Sequence, residues 1–379
     1  MYLIRMKRKL FFIAPLLFLS SLLVAQSPPR HTLRIGPTVM HAPKGWRPAT
    51  AQRREFDFGE HRLIVFSRSF SRGDLCYVEI VRRPASKASP KSEEQTAEKD
   101  AHTENPRSER ASQTEKIGEA VDLIEHHLYY KGSIQRQVHL HAFSDGWQGL
   151  FLIPPDQNGD TYLTWTQKVK ADTRKDVFHL PVHLKSFPES KSVLPFAKEF
   201  VDPDKSKAAV LAKRLEEERA MKGRAFSHRS AWAFTNELSH PRDMHYITSP
   251  FYASRLNQRY KDEGGKRTYL PPVRSIHRGL DFRGVTGAPI FAIAPGTVVL
   301  AHDMHFEGGF TLVDHGNGIF TGYMHQHRIH VKVGDTVKAG QLIGDVGATG
   351  MVTGAHLHLA IWVQGIPGDP LSLLSLPLR

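Results

Sequence analysis

The chain has 379 residues, which is enough for two or more domains, and its single cysteine, Cys76, excludes an intrachain disulfide. Stability therefore has to come from the burial of apolar side chains. The formal net charge of +13 at pH 7 predicts an anionic partner, but we predict no nucleic acid, because Lys and Arg form no clustered stripe with interleaved aromatic residues.

The N-terminus has the pattern of a secretory signal. Basic residues between Arg5 and Lys9 precede the apolar run LFFIAPLLFLSSLLVA, and Ala25 offers a cleavage point after a small residue. The apolar run is short for a transmembrane helix. We predict that residues 1–25 are a signal peptide and that the mature protein is exported. A retained N-terminal membrane anchor is the alternative.

Residues 31–200 have a β-strand pattern that is interrupted once. Stretches such as HRLIVFSRSF and CYVEIVRR lie between Pro and Gly turns, and the pattern resumes in GLFLIPP and TYLTWTQKV. Residues 85–118 have almost no apolar content and predict a disordered insertion. We predict one β-sandwich-like region that carries this insertion, and two small β modules are the alternative.

Residues 203–222 are rich in strong helix formers and predict a helical connector. This connector joins the β region to a C-terminal domain over residues 240–379, and occlusion of a cleft in that domain is a second role that it could have. In the C-terminal domain nearly every segment is strand-like, and turns such as DHGNG follow one another closely. The sequence therefore predicts a mainly β protein.

A pair of histidines in the run TGAHLHLAIW predicts a site. His356 and His358 are two residues apart, so a strand at this position points both imidazoles to the same face. Upstream, His277 and Asp281 stand in an H-x-x-x-D spacing within IHRGLDF. Two histidines and one carboxylate form a three-ligand set that is typical of catalytic zinc and leaves a fourth position for water.

The H-x-H pair and the H-x-x-x-D pair each also have an interpretation that involves no metal. The chain has 22 histidines, so an H-x-H pair arises by chance, and His139 with His141 is an example. His277 and Asp281 could also be an i,i+4 pair on an exposed helix. Gly279 between them, followed by Gly284 and Gly287, disfavours a helix there.

The motifs from about Ser249 to Leu374 resemble the lysostaphin-type (LytM-like) zinc endopeptidases, which cut stem peptides or cross-bridges of peptidoglycan. The resemblance covers about a third of the chain. In order, the motifs are SPF at 249–251, HRGLDF at 277–282, GAPIFAIAPGTVV at 287–299, VDHGNGIFTGYMH at 313–325, VKVGDTVKAGQLIGDVGATG at 331–350, TGAHLH at 353–358 and DP at 369–370.

The resemblance implies a role for five residues. His277, Asp281 and His358 would hold one Zn²⁺ per chain, while His325 and His356 would be catalytic. The sequence has no H-E-x-x-H glutamate, so imidazole is the candidate for moving the proton and for stabilising the oxyanion. We predict His356 as the general base and His325 as a hydrogen-bond donor to the intermediate, and the two roles could be exchanged.

The sequence departs from the family pattern at a few positions. Ala355 stands where the family usually has proline, and Gln326 where leucine is usual. The early SPFG-x-R motif is here SPFYASR, and residues 257–275 form a longer and more charged segment than a minimal linker. None of these departures removes a predicted ligand or catalytic histidine.

The function implied by the resemblance is zinc-dependent hydrolysis of amide bonds in peptidoglycan. D,D-endopeptidase action on cross-links is the first choice, because the signal and the long auxiliary region are typical of a periplasmic enzyme. The basic charge fits peptidoglycan carboxylates or peripheral association with an acidic membrane. The alternative is a non-hydrolytic peptidoglycan-binding protein or an activator of other wall hydrolases. The β-rich region could bind the wall, regulate the enzyme or act as a spacer.

Overall fold

The computed structural model describes residues 30–83, 124–169, 172–195 and 205–379. The predicted signal peptide, residues 1–25, and the predicted insertion, residues 85–118, lie outside the described residues. Within the described ranges, no helix is both long enough and apolar enough to span a membrane.

In the described residues up to 195, the regular elements are all β-strands. Its strands are β1 (Arg30–Ile35), β2 (Thr38–Pro43), β3 (Gln52–Phe58), β4 (His61–Ser67), β5 (Leu75–Arg82), β6 (Ile124–Lys131), β7 (Gln135–Val138), β8 (His141–Phe143), β9 (Gly146–Leu152), β10 (Thr161–Val169), β11 (Asp172–Leu180) and β12 (Glu189–Pro195).

Two of the sheets in this part form a sandwich. One has the strand order β3-β4-β5-β9-β8 and the other β11-β10-β6-β7. Strands from both sides of the 85–118 segment meet in the first sheet, where β5 pairs with β9 in an antiparallel register. A shared core that includes Val65, Val78, Phe151 and Trp165 fills the space between the two sheets.

The five-stranded sheet is covered on both faces. Along β5, Cys76 and Val78 point into the sandwich core, while Leu75 and Tyr77 point into a second core that belongs to the C-terminal domain. This alternation follows from the period of two in a strand. Cys76 is fully buried, and burial raises the pKa of its thiol well above the usual range.

The rest of the chain holds the connector and the C-terminal domain. Its elements are α1 (Lys205–Ser227), β13 (Glu237–Ser239), β14 (Ile247–Ser249), β15 (Ser254–Glu263), β16 (Lys266–Tyr269), β17 (Val273–Ile276), β18 (Leu280–Arg283), β19 (Pro289–Phe291), β20 (Gly296–Met304), β21 (Gly308–Asp314), β22 (Ile319–Ile329), β23 (Thr336–Val337), β24 (Leu342–Val346), β25 (His356–Val363), β26 (Ile366–Gly368) and α2 (Pro370–Leu373).

A ten-stranded antiparallel sheet dominates the C-terminal domain. Its main path runs β14-β18-β25-β22-β21-β20-β23, and β19, β24 and β26 pair at its margins. The predicted mainly β architecture is confirmed, with an N-terminal sandwich-like region, a helical connector and a C-terminal β domain that includes the single turn of α2.

Among the described strands, two pairings join the first part of the chain to the last. The β1–β2 hairpin pairs through β2 with β13, not with a strand of the sandwich. Strand β12 pairs in parallel with β15, which lies close to the predicted metal ligands in sequence. The C-terminal core therefore depends on segments that are distant in sequence.

Candidate active site

Two paired strands place the predicted ligands. β18 and β25 are antiparallel neighbours, and their register sets Asp281 directly opposite His358. His277 precedes β18. The predicted strand HLHLAIW is confirmed, and so is the prediction that His277 and Asp281 do not belong to a helix. A pair of residues directly opposite each other in adjacent strands brings its side chains together.

The three ligand atoms converge. The Nε2 atom of His277 lies 2.9 Å from Oδ1 of Asp281 and 3.0 Å from Nδ1 of His358. The Nδ1 atom of His358 lies 2.8 Å from the same carboxylate oxygen. Within the part of the chain that the structure describes, these residues form the one cluster of three or more His, Cys, Asp or Glu side chains with the geometry of a metal site.

The hydrogen bonds around these residues fit a cation. The Nδ1 atom of His277 is 2.9 Å from the carbonyl oxygen of Pro250, which can only accept, so this nitrogen carries the proton and Nε2 of the neutral ring keeps its lone pair. Arg255 donates to Oδ2 of Asp281 at 3.2 Å, so Oδ1 faces the centre. Two imidazole nitrogens and one carboxylate oxygen are a donor set that suits zinc.

Electrostatics keep the carboxylate ionised. Burial opposes ionisation of Asp281, but its contacts with the imidazoles of His277 and His358 outweigh this effect and hold the pKa of Asp281 well below its usual range. Burial also lowers the pKa of His358, against the opposing effect of Asp281. Both shifts favour the forms that bind metal, a charged carboxylate and a neutral imidazole.

The loop between β14 and β15 supports His277. The backbone N–H of Tyr252 donates to the carbonyl of His277 at 2.8 Å, and the N–H of His277 donates to the carbonyl of Ala253 at 3.0 Å. Tyr252 has a φ of +59°, in the left-handed region, at the position where the family pattern SPFG-x-R has glycine. Tyr252 thus adopts a left-handed conformation that glycine reaches without strain.

The two predicted catalytic histidines lie beside the ligands. The ring centroids of His325 and His356 are 4.9 Å apart, and Nε2 of His356 is 3.7 Å from Oδ1 of Asp281. Nδ1 of His356 donates to the carbonyl of Gly354 at 2.8 Å, and Nδ1 of His325 donates to the carbonyl of Thr349 at 3.0 Å. Each neutral ring therefore has an unprotonated Nε2.

His325 is held in an unusual state. Its φ is +64°, which is rare for a residue with a side chain. Burial lowers its pKa to about 4, and the nearby His356 and His358 act in the same direction. At neutral pH the ring of His325 is therefore uncharged.

Sequence reasoning missed several supporting residues. It named Arg255 only as part of the altered SPFYASR motif and gave no role to Thr349, whose hydroxyl donates to the carbonyl of Gln326 at 2.8 Å. The available signal for Arg255 was its position at the end of that motif, where the family pattern SPFG-x-R also has arginine. For Thr349 the sequence carried no signal, because its role depends on a backbone carbonyl that meets His325 only in the folded chain.

Comparisons with known proteins point to one family. Residues 275–370 match the model of peptidase family M23. The chain is 36% identical over 135 residues to the peptidoglycan DD-endopeptidase ShyC of Vibrio cholerae. This alignment covers 35% of this chain and 28% of that protein. The chain is also 39% identical over 106 residues to lysostaphin of Staphylococcus staphylolyticus. That alignment covers 26% of this chain and 22% of lysostaphin. The matches thus span less than a third of these relatives.

Two solved structures resemble parts of this chain at low TM-scores. A putative M23 peptidase from Pseudomonas aeruginosa covers 67% of this chain and 94% of its own, with 23% identity and a TM-score of 0.45. The catalytic domain of lysostaphin from Staphylococcus simulans covers 27% of this chain and 80% of its own, with 36% identity and a TM-score of 0.25.

Proposed function

Since residues 275–370 form a domain of peptidase family M23, we propose that the protein is an exported, zinc-dependent endopeptidase that hydrolyses amide bonds in peptidoglycan. Cross-links between stem peptides are the proposed target, and the periplasm is the proposed location. The observation that carries this proposal is the convergence of His277, Asp281 and His358 with two further histidines beside them. ShyC and its relative ShyA, both of Vibrio cholerae, are named peptidoglycan DD-endopeptidases, which supports the choice of bond.

His277, Asp281 and His358 would hold the zinc ion. Zinc in such a site supplies a Lewis acid, which polarises the scissile carbonyl and makes water a nucleophile at neutral pH. Burial of His277 and Asp281 strengthens their charge interactions. The hydrogen bonds to Pro250 and from Arg255 hold the orientation of His277 and Asp281.

His356 is the proposed general base. Its Nε2 atom lies on the side of Asp281 and has a lone pair, so it can accept a proton from the attacking water and pass it to the leaving amine. His325 is a weak base, because burial lowers its pKa to about 4. It is proposed to donate to the oxyanion as an imidazolium, whose second proton comes from solvent and is stabilised by the developing negative charge.

Digestion of purified, cross-linked peptidoglycan tests the proposal. Residues 31–379 loaded with zinc would be compared with the metal-free protein, and the products would be resolved by mass. We expect metal-dependent loss of cross-linked dimers, and the masses of the products identify the bond. If zinc binds and residues 31–379 do not cut the polymer, the protein is instead a binding protein or an activator of other hydrolases.

Substitutions separate the two sets of histidines. His358→Ala should lose zinc and activity together, because it removes a ligand. His356→Ala and His325→Ala should retain zinc and lose about 10²-fold to 10⁴-fold in kcat, the usual contribution of a general acid or base. The matched control is His327→Ala, which removes an exposed histidine two residues from His325. Unimpaired turnover by His356→Ala would exclude the assigned mechanism.

A further inference from the structure

Side chains of the connector helix α1 contact the turn between β20 and β21. The carboxylate of Glu218 is almost fully buried, although it belongs to a helix whose other acidic residues are exposed. Its Oε1 atom accepts from the backbone N–H of His305 at 2.8 Å and from Nε of Arg214 at 2.7 Å. A hydrogen bond from a backbone N–H to a buried carboxylate is strong and fixes the orientation of both groups.

Further contacts fix the same turn to the helix. Lys222 donates to Oε1 of Glu307 at 2.6 Å, and both side chains are largely buried. Arg214 also reaches the carboxylate of Asp303, at 3.4 Å. The last turns of α1 add an apolar contact, since Ala225 packs in one cluster with Met304. The turn of residues 305–307 is therefore held by charge, hydrogen bonds and packing at once.

The same turn holds His325. The backbone N–H of His325 donates to the carbonyl of Glu307 at 2.9 Å, which fixes the residue in its left-handed conformation. The adjacent carbonyl of Phe306 accepts from the N–H of Met351 at 2.9 Å and so holds the loop that carries Thr349. That loop supplies the carbonyl that orients the ring of His325. Both the backbone and the ring of His325 thus depend on this turn.

We propose that α1 is a positioning element for His325 and that Glu218 is its principal positioning residue. A strained backbone persists only where the surroundings over-determine it, and here α1 supplies part of those surroundings. The connector is then part of the catalytic machinery and not a tether between domains. The inference rests on the proposed function, because the catalytic role of His325 belongs to it.

The test compares two neighbouring glutamates. Glu218→Ala removes the buried carboxylate, whereas Glu217→Ala removes a largely exposed one that contacts only Lys213 at 3.9 Å among the ion pairs of the described residues. We expect Glu218→Ala to lose about tenfold to a hundredfold in kcat, the usual cost of misplacing a catalytic group, with KM within about twofold. Zinc content should be unchanged. Glu218→Gln keeps an oxygen acceptor for the N–H of His305 and should recover most of the rate.

A second readout needs no hydrolysis. In protein labelled with ¹⁵N-histidine, the ring resonances of His325 should move in Glu218→Ala and stay in place in Glu217→Ala. Lys222→Met provides an independent disturbance of the turn if Glu218→Ala does not fold, and it should move the same resonances. Unmoved His325 resonances with a wild-type kcat in the folded variants would overturn the inference. Lack of hydrolysis by the wild type would count against the proposed function alone.

Discussion

Gly279 is a residue at which a small change reaches the proposed metal ligands directly. A Cβ atom built on Gly279 would lie 2.4 Å from Nε2 of His358 and 2.6 Å from the carbonyl oxygen of Leu359. Both distances are well inside van der Waals contact. Gly279 is therefore required for the close approach of the loop to the ring of His358 and not for an unusual φ.

We predict that Gly279→Ala weakens zinc binding. The added methyl group has to displace the ring of His358 or separate β18 from β25, and either movement spreads the three ligand atoms. We expect an affinity lower by at least about tenfold, in the range that disturbed ligand orientation causes. Titration against a chromogenic chelator measures it. Gly354→Ala is the matched control, because its Cβ would meet nothing within 4 Å. Equal affinities in both variants would contradict this account.

The sequence patterns named residues that the fold brings together, but not the backbone that presents them. H-x-H on a strand and H-x-x-x-D before it are local patterns, and the register of β18 and β25 sets Asp281 opposite His358. The left-handed conformations of His325 and Tyr252 were not predictable, because each is imposed by partners that are remote in sequence or specific to the fold. Local propensity has no access to such partners.

At the scale of elements, the sandwich packs on the loop that carries Phe251. A Cβ atom on Gly73, in the turn before β5, would lie only 2.6 Å from the ring of Phe251, so this ring sits directly against the glycine backbone. The ring of Phe187 lies 4.7 Å from that of Tyr252, centroid to centroid. The neighbouring Pro250 supplies the carbonyl that orients His277. The contact thus links the sandwich to His277, a proposed metal ligand.

We predict that Phe251→Ala lowers both stability and zinc affinity. Truncation of a buried phenylalanine costs about 3–5 kcal/mol in the free energy of unfolding, and the cavity lets Pro250 move away from His277. Thermal unfolding and chelator titration measure the two effects. Phe178→Ala is the control, because Phe178 packs against Phe56 within the sandwich and should lower stability alone. A zinc affinity unchanged in Phe251→Ala would contradict the link.

Strand existence was easier to predict than strand pairing. Alternating and apolar runs indicated the strands of the sandwich, and two sheets there do form one core. The pairing of β2 with β13 and of β12 with β15 was not predicted from the sequence. These pairings join segments far apart in the chain, and the choice among possible edges is made by packing and not by local pattern.

At the scale of the whole molecule, a largely buried arginine between two carboxylates holds the sandwich and the C-terminal domain together. Arg68, in the sandwich, donates at 2.7 Å to Asp74 of the same region and at 2.7 Å to Asp369 of the C-terminal domain. The N–H of Asp369 also donates to the carbonyl of Gly73 at 2.8 Å. Asp369 belongs to the closing DP motif, so this motif caps α2 and docks the sandwich at the same time.

The C-terminal domain should therefore not be stable alone. Its core includes side chains that residues 240–379 lack, and burial of each large one contributes about 1.5–3 kcal/mol. Their sum is comparable with the about 5–15 kcal/mol that stabilises a typical domain. The core residues in question are Leu33, Met40, Ala42, Leu75, Tyr77, Leu150, Leu152, Phe234 and Leu238.

We predict that residues 240–379 melt at a much lower temperature than residues 31–379, or aggregate, when both are followed by circular dichroism.

The control separates covalent connection from packing. Cutting the chain between residues 195 and 205 leaves the pairings of β2 with β13 and of β12 with β15 intact, so the two fragments should remain associated and melt near the uncut protein. Equal melting temperatures for residues 240–379 and 31–379 would mean that the sandwich contributes nothing to the fold of the peptidase. Its role would then lie in binding or regulation, which the same two proteins test through their rates on peptidoglycan.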